Sequence, residues 1–209
     1  MPPAEELRVN SPAFWEKIYR EGRAGWDLGG PTPAFRRHLL AGALAPGRLM
    51  VLGAGRGHDA REFARHGFSV TAVDFADEPV RDMRALADPH APVEILQSDI
   101  FQLPQSLNGA FDMLLEYTCY CAIHPSRRGE YADVVARLLR PGAAYLAMLF
   151  PLDDHAGGPP FAVSPAEFIA LFEARGFRLN WREAPLDSAP QRRGIEELLL
   201  LTAPTSPRP

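Results

Sequence analysis

The chain has 209 residues, of which 46% are hydrophobic and 23% are charged, and its formal net charge is -4. This composition excludes an intrinsically disordered chain and fits one α/β domain with modest extensions. The slightly acidic balance gives no reason to expect a groove that binds nucleic acid.

Apolar residues recur with helical and strand periods that alternate along the chain. Ser11-Pro12 is a typical helix start, and the aromatic residues after it keep helical spacing until Gly22. A loop over residues 25–33 is rich in Gly and Pro and contains Trp26. The later predicted elements are a helix over 35–41, a strand over 49–52, a helix over 59–66, a strand over 69–73, a helix over 77–87, strands over 93–96 and 111–117, a helix over 126–139 closed by Arg140-Pro141-Gly142, a strand over 143–150, a helix from 165 to about 176, and strands over 177–183 and 196–201.

This alternation predicts an α/β fold, namely a Rossmann-like, doubly wound sheet of seven mostly parallel strands. No helix separates the last two strands, so we expect the last strand to be antiparallel to the others. We predict a single domain over residues 1–209, with an N-terminal segment over 1–34, a Rossmann-like core over 35–203 and a frayed tail over 204–209.

Several features indicate a cytoplasmic protein. Residues 1–10 contain charges but no apolar h-region, and no apolar run approaches membrane-spanning length. Cys119 and Cys121 are poorly spaced for a disulfide and have no clustered His for a zinc site, so we expect no metal. Lys17 is the only lysine, and this Arg-rich and Ala-rich composition is typical of a GC-rich bacterial genome.

The candidate ligand site lies at the carboxyl ends of the first three strands, because ligands of open α/β sheets bind there. The turn Gly53-Ala54-Gly55-Arg56-Gly57 follows the first strand, and its glycines let the backbone approach a ligand closely. The helix behind the turn presents unpaired N–H groups and a positive dipole end. Asp74 ends the second strand, where an acid can accept both ribose hydroxyls. Asp99 and the apolar Ile100 follow the third strand and can hold an adenine ring.

A glycine-rich turn by itself also occurs as a tight connection that binds no ligand. The turn and the two acids in register favour an adenosine-type ligand. His58 stands where a dinucleotide-binding fold prefers glycine, and little chain is left for a second substrate region. Both observations favour S-adenosylmethionine over NAD. A short NAD(P)-dependent oxidoreductase and a catalytically silent S-adenosylmethionine-binding protein remain alternatives.

Four segments resemble the thiopurine/thiol methyltransferase family, which includes plant halide and thiol methyltransferases and bacterial enzymes of tellurite or selenium methylation. The resemblance runs from about Phe14 to Gly176, and its most unusual elements are Gly57-His58-Asp59 and the Gly-Gly-Pro-Pro-Phe segment over 157–161. The four segments are 14–17 with 25–29 and 31–33, 51–59 with 73–74, 116–123, and 148–164.

The resemblance implies a class I S-adenosylmethionine-dependent methyltransferase in which residues 1–34 form a helical lid over the cofactor. An aromatic face beside a sulfonium cation is favourable by about 0.5–2 kcal/mol, which gives the lid tryptophans a physical role. Glu116 and Tyr117 are the implied catalytic pair, facing the methionine end and the methyl group. The implied cofactor-binding residues are Trp15, Trp26, Gly53, Ala54, Gly55, Asp74, Phe75, Asp99, Ile100, Glu116 and Tyr117, and the implied substrate-contacting residues are Arg128, Phe150 and His155.

The family also implies in-line methyl transfer to a small-molecule thiol, halide or chalcogen acceptor, with S-adenosylhomocysteine as the product and no general base. We expect no nucleic-acid or membrane partner, and a monomer or weak homodimer. Some of the residues have simpler interpretations, because Trp15 can pack the lid on the sheet, and Arg128 and His155 can be surface side chains. Glu116 replaces the Asp of many thiol members, so no single relative predicts the acceptor.

Overall fold

A computed structural model describes residues 8–205 of the chain. The helices in this part of the chain are α1 Pro12–Arg20, α2 Pro33–Leu40, α3 His58–Arg65, α4 Asp77–Ala85, α5 Arg128–Leu138 and α6 Pro165–Glu173. The strands are β1 Arg48–Leu52, β2 Ser69–Asp74, β3 Val93–Gln97, β4 Phe111–Tyr117, β5 Leu139–Leu149, β6 Arg178–Glu183 and β7 Glu197–Thr202. The predicted tail over 204–209 and the residues before 8 lie mostly or wholly outside the described part.

The seven strands form one sheet in the order β3-β2-β1-β4-β5-β7-β6. All pairs from β3 to β5 are parallel, whereas β7 runs antiparallel to both of its neighbours. The predicted Rossmann-like sheet with an antiparallel last strand is therefore confirmed. The chain reverses its direction of winding between β1 and β4, and such a switch point is where ligands bind in these sheets.

Alternating side chains of the central strands divide the core between the two faces of the sheet. Leu49 and Val51 of β1 pack with the aromatic rings of α2 and α3 on one face. Met50 and Leu52 pack with α5 and α6 on the other face. All four are at most 6% exposed, so β1 is covered on both sides, as a central parallel strand must be.

The helix predicted over 126–139 differs from the structure at both ends. It begins as the 3₁₀ turn Pro125–Arg127, and its predicted closing segment, Arg140-Pro141-Gly142, already belongs to β5. Leu139 pairs with Phe111, and the register then shifts before the regular ladder begins. Proline has no N–H for the ladder, and Gly142 has φ 75°, so the strand starts with an irregular stretch rather than a loop.

Within residues 8–205, no helix combines the length and the apolar composition that crossing a bilayer requires.

Candidate active site

The turn between β1 and α3 has a backbone that favours glycine. Gly53, Gly55 and Gly57 have φ values of 59°, 55° and 69°, in the left-handed region. A Cβ on Gly53 would lie 2.8 Å from Cys119 Sγ, so this position also lacks room for a side chain. The turn can therefore present its backbone to a ligand at short range.

Asp74 ties the end of β2 to this turn. Its Oδ2 accepts a hydrogen bond from Gly55 N at 2.9 Å, and its Oδ1 accepts from Ala76 N at 3.1 Å. Burial raises the pKa of Asp74, although these backbone N–H groups partly oppose the shift. The acid and the turn predicted from separate strands thus meet directly, and the remaining lone pairs of the carboxylate are available to a ligand.

Asp99 caps the 3₁₀ turn Ile100–Gln102 at the end of β3, where its Oδ1 accepts from Phe101 N at 2.9 Å. Its other oxygen accepts no hydrogen bond from residues 8–205. The guanidinium of Arg127 lies 3.6 Å from the centre of the Phe101 ring. A free carboxylate oxygen between apolar and planar groups suits a flat ring that carries an amino donor.

Three aromatic side chains of the N-terminal segment pack edge to face over the turn. Trp26 contacts Trp15 and Tyr19 with ring-centre distances of 5.4 Å in both cases. Trp26 Nε1 donates to Tyr19 Oη at 3.1 Å, and Trp15 Nε1 donates to the carbonyl of Val9 at 2.8 Å. The two tryptophans therefore pack within the lid and also line the cavity described next.

A cavity of about 510 Å³ lies between the lid and the strand ends. This volume is in the usual range for small-molecule sites. Eight of the residues predicted to bind cofactor or substrate line it, namely Trp15, Trp26, Gly53, Asp74, Phe75, Asp99, Ile100 and Phe150. Three more, Ala54, Gly55 and Tyr117, line a smaller cavity of about 60 Å³ on the other side of Trp26 and Gly53.

Glu116 lines neither cavity. It is 1% exposed, and its Oε2 accepts from Tyr120 N at 2.8 Å, while Cys119 N is a second backbone donor. Burial raises its pKa to about 8, against the effect of these donors and of the Arg128 charge. The carboxyl therefore stabilises the loop after β4 from its buried side. Its predicted contact with the cofactor stays a prediction.

That loop passes through a strained residue. Thr118 has φ 63°, which is rare for a β-branched side chain and is found mostly at functional sites. The strain turns the chain so that Thr118, Cys119 and Cys121 all line the larger cavity. Burial raises the pKa of both thiols, so they stay protonated and contribute small apolar surface rather than a nucleophile.

Tyr117 belongs to a buried polar network that the sequence did not predict. Its hydroxyl donates to Glu196 Oε2 at 2.7 Å and accepts from Arg192 Nη1 at 2.9 Å. Arg192 is 3% exposed, and its guanidinium lies 4.0 Å from the centre of the Phe150 ring. Arg192 also lines the larger cavity, so it places a cation in the cavity wall.

The other two residues predicted to contact substrate line neither cavity. Arg128 Nη2 donates to the carbonyl of Ala162 at 2.9 Å, and its guanidinium lies 4.7 Å from the centre of the Tyr120 ring. His155 is exposed, and its Nε2 lies 2.9 Å from the carbonyl of Pro160. Both side chains hold the Gly/Pro loop after β5, and their predicted contact with substrate stays a prediction.

The described residues contain no cluster of three or more His, Cys, Asp or Glu side chains that could hold a metal ion.

A model of the thiopurine S-methyltransferase family matches residues 10–197. The chain belongs to this family. It is 33% identical over 196 residues to a probable thiol methyltransferase 2 of Arabidopsis thaliana, covering 92% of this chain and 85% of the relative. It is 29% identical over 188 residues to thiocyanate methyltransferase 1 of the same plant, covering 88% and 82%.

The fold is also that of solved methyltransferases. A 1,6-didemethyltoxoflavin-N1-methyltransferase of Burkholderia thailandensis, solved with S-adenosylhomocysteine, matches with a TM-score of 0.76 at 22% identity, covering 99% of this chain and 92% of that one. Family and fold together identify the protein as an S-adenosylmethionine-dependent methyltransferase. They do not favour the NAD(P)-dependent oxidoreductase or the catalytically silent binding protein.

The methyltransferase site fits S-adenosylmethionine. The glycine turn leaves no room for a Cβ at position 53, so its backbone can lie against the ligand. Asp99, in the cavity wall, keeps one carboxylate oxygen free to accept a hydrogen bond. Asp74 can take the ribose hydroxyls while it keeps its bonds to the backbone. The two lid tryptophans can face the sulfonium.

Proposed function

We propose that this methyltransferase methylates a small soft nucleophile, most often a thiol, that binds as its anion beside Arg192. The observation that carries this proposal is the setting of the Arg192 guanidinium. It is buried, it lines the cavity, and it donates only to neutral oxygens, those of Tyr117, Gly25 and Trp26. Among residues 8–205, no carboxylate lies within ion-pair distance of it, so its charge is available to an anionic acceptor.

The walls around Arg192 suit a thiolate better than a hard oxygen nucleophile. Phe150 covers one face of the guanidinium, and Cys121 and Ile123 add polarizable and apolar surface. Such surface removes water from the acceptor, while the guanidinium lowers the pKa of a bound thiol and so favours the reactive thiolate. A general base is not required, because thiols ionise near neutral pH.

Bound S-adenosylmethionine supplies an electrophilic methyl carbon on a sulfonium, with S-adenosylhomocysteine as the leaving group. The protein then has to align the acceptor with that carbon and exclude water from both. Trp26 and Phe150 enclose the cavity for this purpose. The names of the Arabidopsis relatives, a probable thiol methyltransferase and a thiocyanate methyltransferase, support a soft sulfur acceptor.

The test uses isotopically labelled S-adenosylmethionine with pairs of acceptors that differ in one atom, such as an aromatic thiol and the matching phenol or aniline. Thiocyanate and iodide extend the series to simple anions. We expect label on sulfur and on the soft anions, and little label on oxygen or nitrogen. Methylation of the phenol or the aniline alone would refute the proposal.

Arg192→Met tests the cation directly. We expect the KM for an ionised thiol to rise at least tenfold, about 1.4 kcal/mol of binding, with partial recovery in Arg192→Lys. Gln191→Ala is the matched control, because Gln191 lines the same cavity without a charge. Equal losses in the Met and control variants would mean that the charge has no role in acceptor binding.

We further propose that the enzyme works in a bacterial cytoplasm on free small molecules, as a monomer or weak homodimer, without nucleic-acid or membrane partners. Two free cysteines suit a reducing compartment, and the net charge of -4 gives no attraction to polyanions. Light scattering across a concentration series should give the monomer mass of 23.0 kDa at low concentration. A constant higher mass would contradict this assembly.

A further inference from the structure

The lid contacts the glycine turn through one carboxylate, that of Asp27. Its Oδ2 lies 2.5 Å from Arg56 Nη1, and its Oδ1 lies 3.1 Å from His58 Nε2. Arg56 and His58 flank Gly57, so both partners belong to the turn or to the first residue of α3. The side chain of Asp27 is only 11% exposed, which makes this pair stronger than a surface ion pair.

Within the pair, Arg56 is the charged partner and His58 the neutral one. Burial lowers the pKa of His58, and Arg61 Nη2 approaches its Nδ1 at 3.2 Å. His58 Nε2 lies close to Asp27 but forms no hydrogen bond with the described residues, so Arg56 is the partner that binds Asp27. Asp27 itself has a lowered pKa, because the Gly29 N–H and Arg56 together outweigh its burial.

Asp27 also lies between two other attachments of the lid loop. On one side, Arg192 Nη2 donates to the carbonyl of Trp26 at 3.3 Å. On the other side, Thr32 donates from both its N and its Oγ1 to Asp59, at 2.7 and 2.8 Å. Those attachments join the ends of the loop to the β6–β7 connection and to α3. Asp27 is therefore the attachment that joins the first part of the loop, next to Trp26, to the cofactor turn.

The neighbour of Asp27 is Trp26, which lines both the larger and the smaller cavity. Tyr19 fixes the indole nitrogen of Trp26 from the far side. When Asp27 is paired, the backbone on both sides of the Trp26 ring is held, which restricts the ring. The walls of the cofactor cavity come from both the N-terminal segment and the strand ends, so loosening this contact should ease the release of a bound cofactor.

Arg56 has a second acidic partner, which lowers the free-energy cost of separating Asp27 from the turn. Its Nε donates to Asp82 Oδ2 of α4 at 2.8 Å. When Asp27 moves into water, Arg56 keeps Asp82 and is not left as an unpaired, partly buried cation. Moving Asp27 away therefore leaves Arg56 paired with an acid, which keeps the cost of that movement low.

We propose that Asp27 is a positioning residue, which holds Trp26 in the cavity wall and controls how long the adenosyl ligand stays bound. This inference concerns cofactor exchange and does not depend on which acceptor is methylated.

The test measures the dissociation rate of S-adenosylhomocysteine from Asp27→Asn, from the change in Trp fluorescence after displacement by excess S-adenosylmethionine. A Trp181→Phe background removes the tryptophan that stacks on His38, away from the cavity. We expect dissociation to be about tenfold faster in Asp27→Asn, with a higher KM for S-adenosylmethionine and an unchanged midpoint of urea unfolding. Asp27→Glu should restore part of the slow dissociation.

Asp82→Asn is the matched control, because it removes the other acid of the same guanidinium and leaves Asp27 paired. We expect it to change dissociation less than twofold. In the double variant Asp27→Asn/Arg56→Gln, loss of the arginine should add little to the loss of the acid. Equal effects of the two Asn variants, or a dissociation rate within twofold of the parent for Asp27→Asn, would overturn the proposal.

Discussion

Replacing Gly53 by Ala should destabilise the protein more than the same change at Gly67, another glycine with positive φ. A non-glycine residue in the left-handed region costs about 1–2 kcal/mol. At Gly53 the new Cβ would also lie 2.8 Å from Sγ and 2.9 Å from Cβ of Cys119, which is overpacking worth a further about 1–3 kcal/mol. The expected loss in the free energy of unfolding is therefore about 2–5 kcal/mol.

Gly67→Ala separates the two contributions. Gly67 has φ 87°, but a Cβ there would meet only Pro46 at 4.0 Å, an ordinary contact. We expect it to lose about 1–2 kcal/mol from the backbone alone. Urea unfolding of all three proteins without cofactor gives the comparison. If Gly53→Ala loses no more than Gly67→Ala, the close approach of Cys119 to the turn does not constrain position 53.

Two further predictions concern the buried groups of β4. Burial raises the pKa of Glu116 from 4.5 to about 8, so the stabilising contribution of this carboxyl is complete below pH 4.5 and is lost as the pH rises through 8. Relative to Glu116→Gln, the parent should lose up to about 1.4 kcal/mol of unfolding free energy per pH unit between about pH 5 and 8. Urea unfolding at several pH values measures this loss, and parallel pH profiles for the two proteins would contradict it. Tyr117→Phe removes the hydroxyl that lies between Arg192 and Glu196. It should lower the free energy of unfolding by about 1–3 kcal/mol in the same assay and raise the KM for the acceptor. An unchanged unfolding midpoint would mean that water replaces the hydroxyl.

The sequence predicts the fold well because its signals are local. Proline at the start of α1 and α6 and glycine beyond helix ends mark boundaries, and apolar periods distinguish helices from strands. The predicted start of β5, at residue 143, was wrong because the true start depends on a long-range strand pairing. Leu139 pairs with Phe111 across the sheet, and this pairing extends the strand through a Pro-Gly segment that by itself is typical of a turn.

That the residues predicted to bind the cofactor would lie close together was also predictable, since each of them follows its own strand. Parallel strands bring their carboxyl ends to one edge, so the glycine turn, Asp74 and Asp99 meet without knowledge of any side-chain contact. Arg192 was not predicted, because it lies 75 residues after Tyr117 in a polar loop. The only available signal was the pair Arg192-Arg193, which lies three residues before a strand whose predicted first residue, Glu196, is acidic.

Glu116 shows how a residue outside the cavity wall can still shape the site. The sequence argument held that a carboxyl at the end of an apolar strand needs a partner, and the N–H groups of Cys119 and Tyr120 are partners. Those bonds fix the backbone of Cys119, and its side chain in turn occupies the space where a Cβ of Gly53 would lie. Glu116 therefore acts on the cofactor turn through Cys119. Loosening that loop should relax the requirement for glycine at position 53, so the cost of Gly53→Ala should be smaller in a Glu116→Leu background, which lacks the acceptor oxygen, than in the parent.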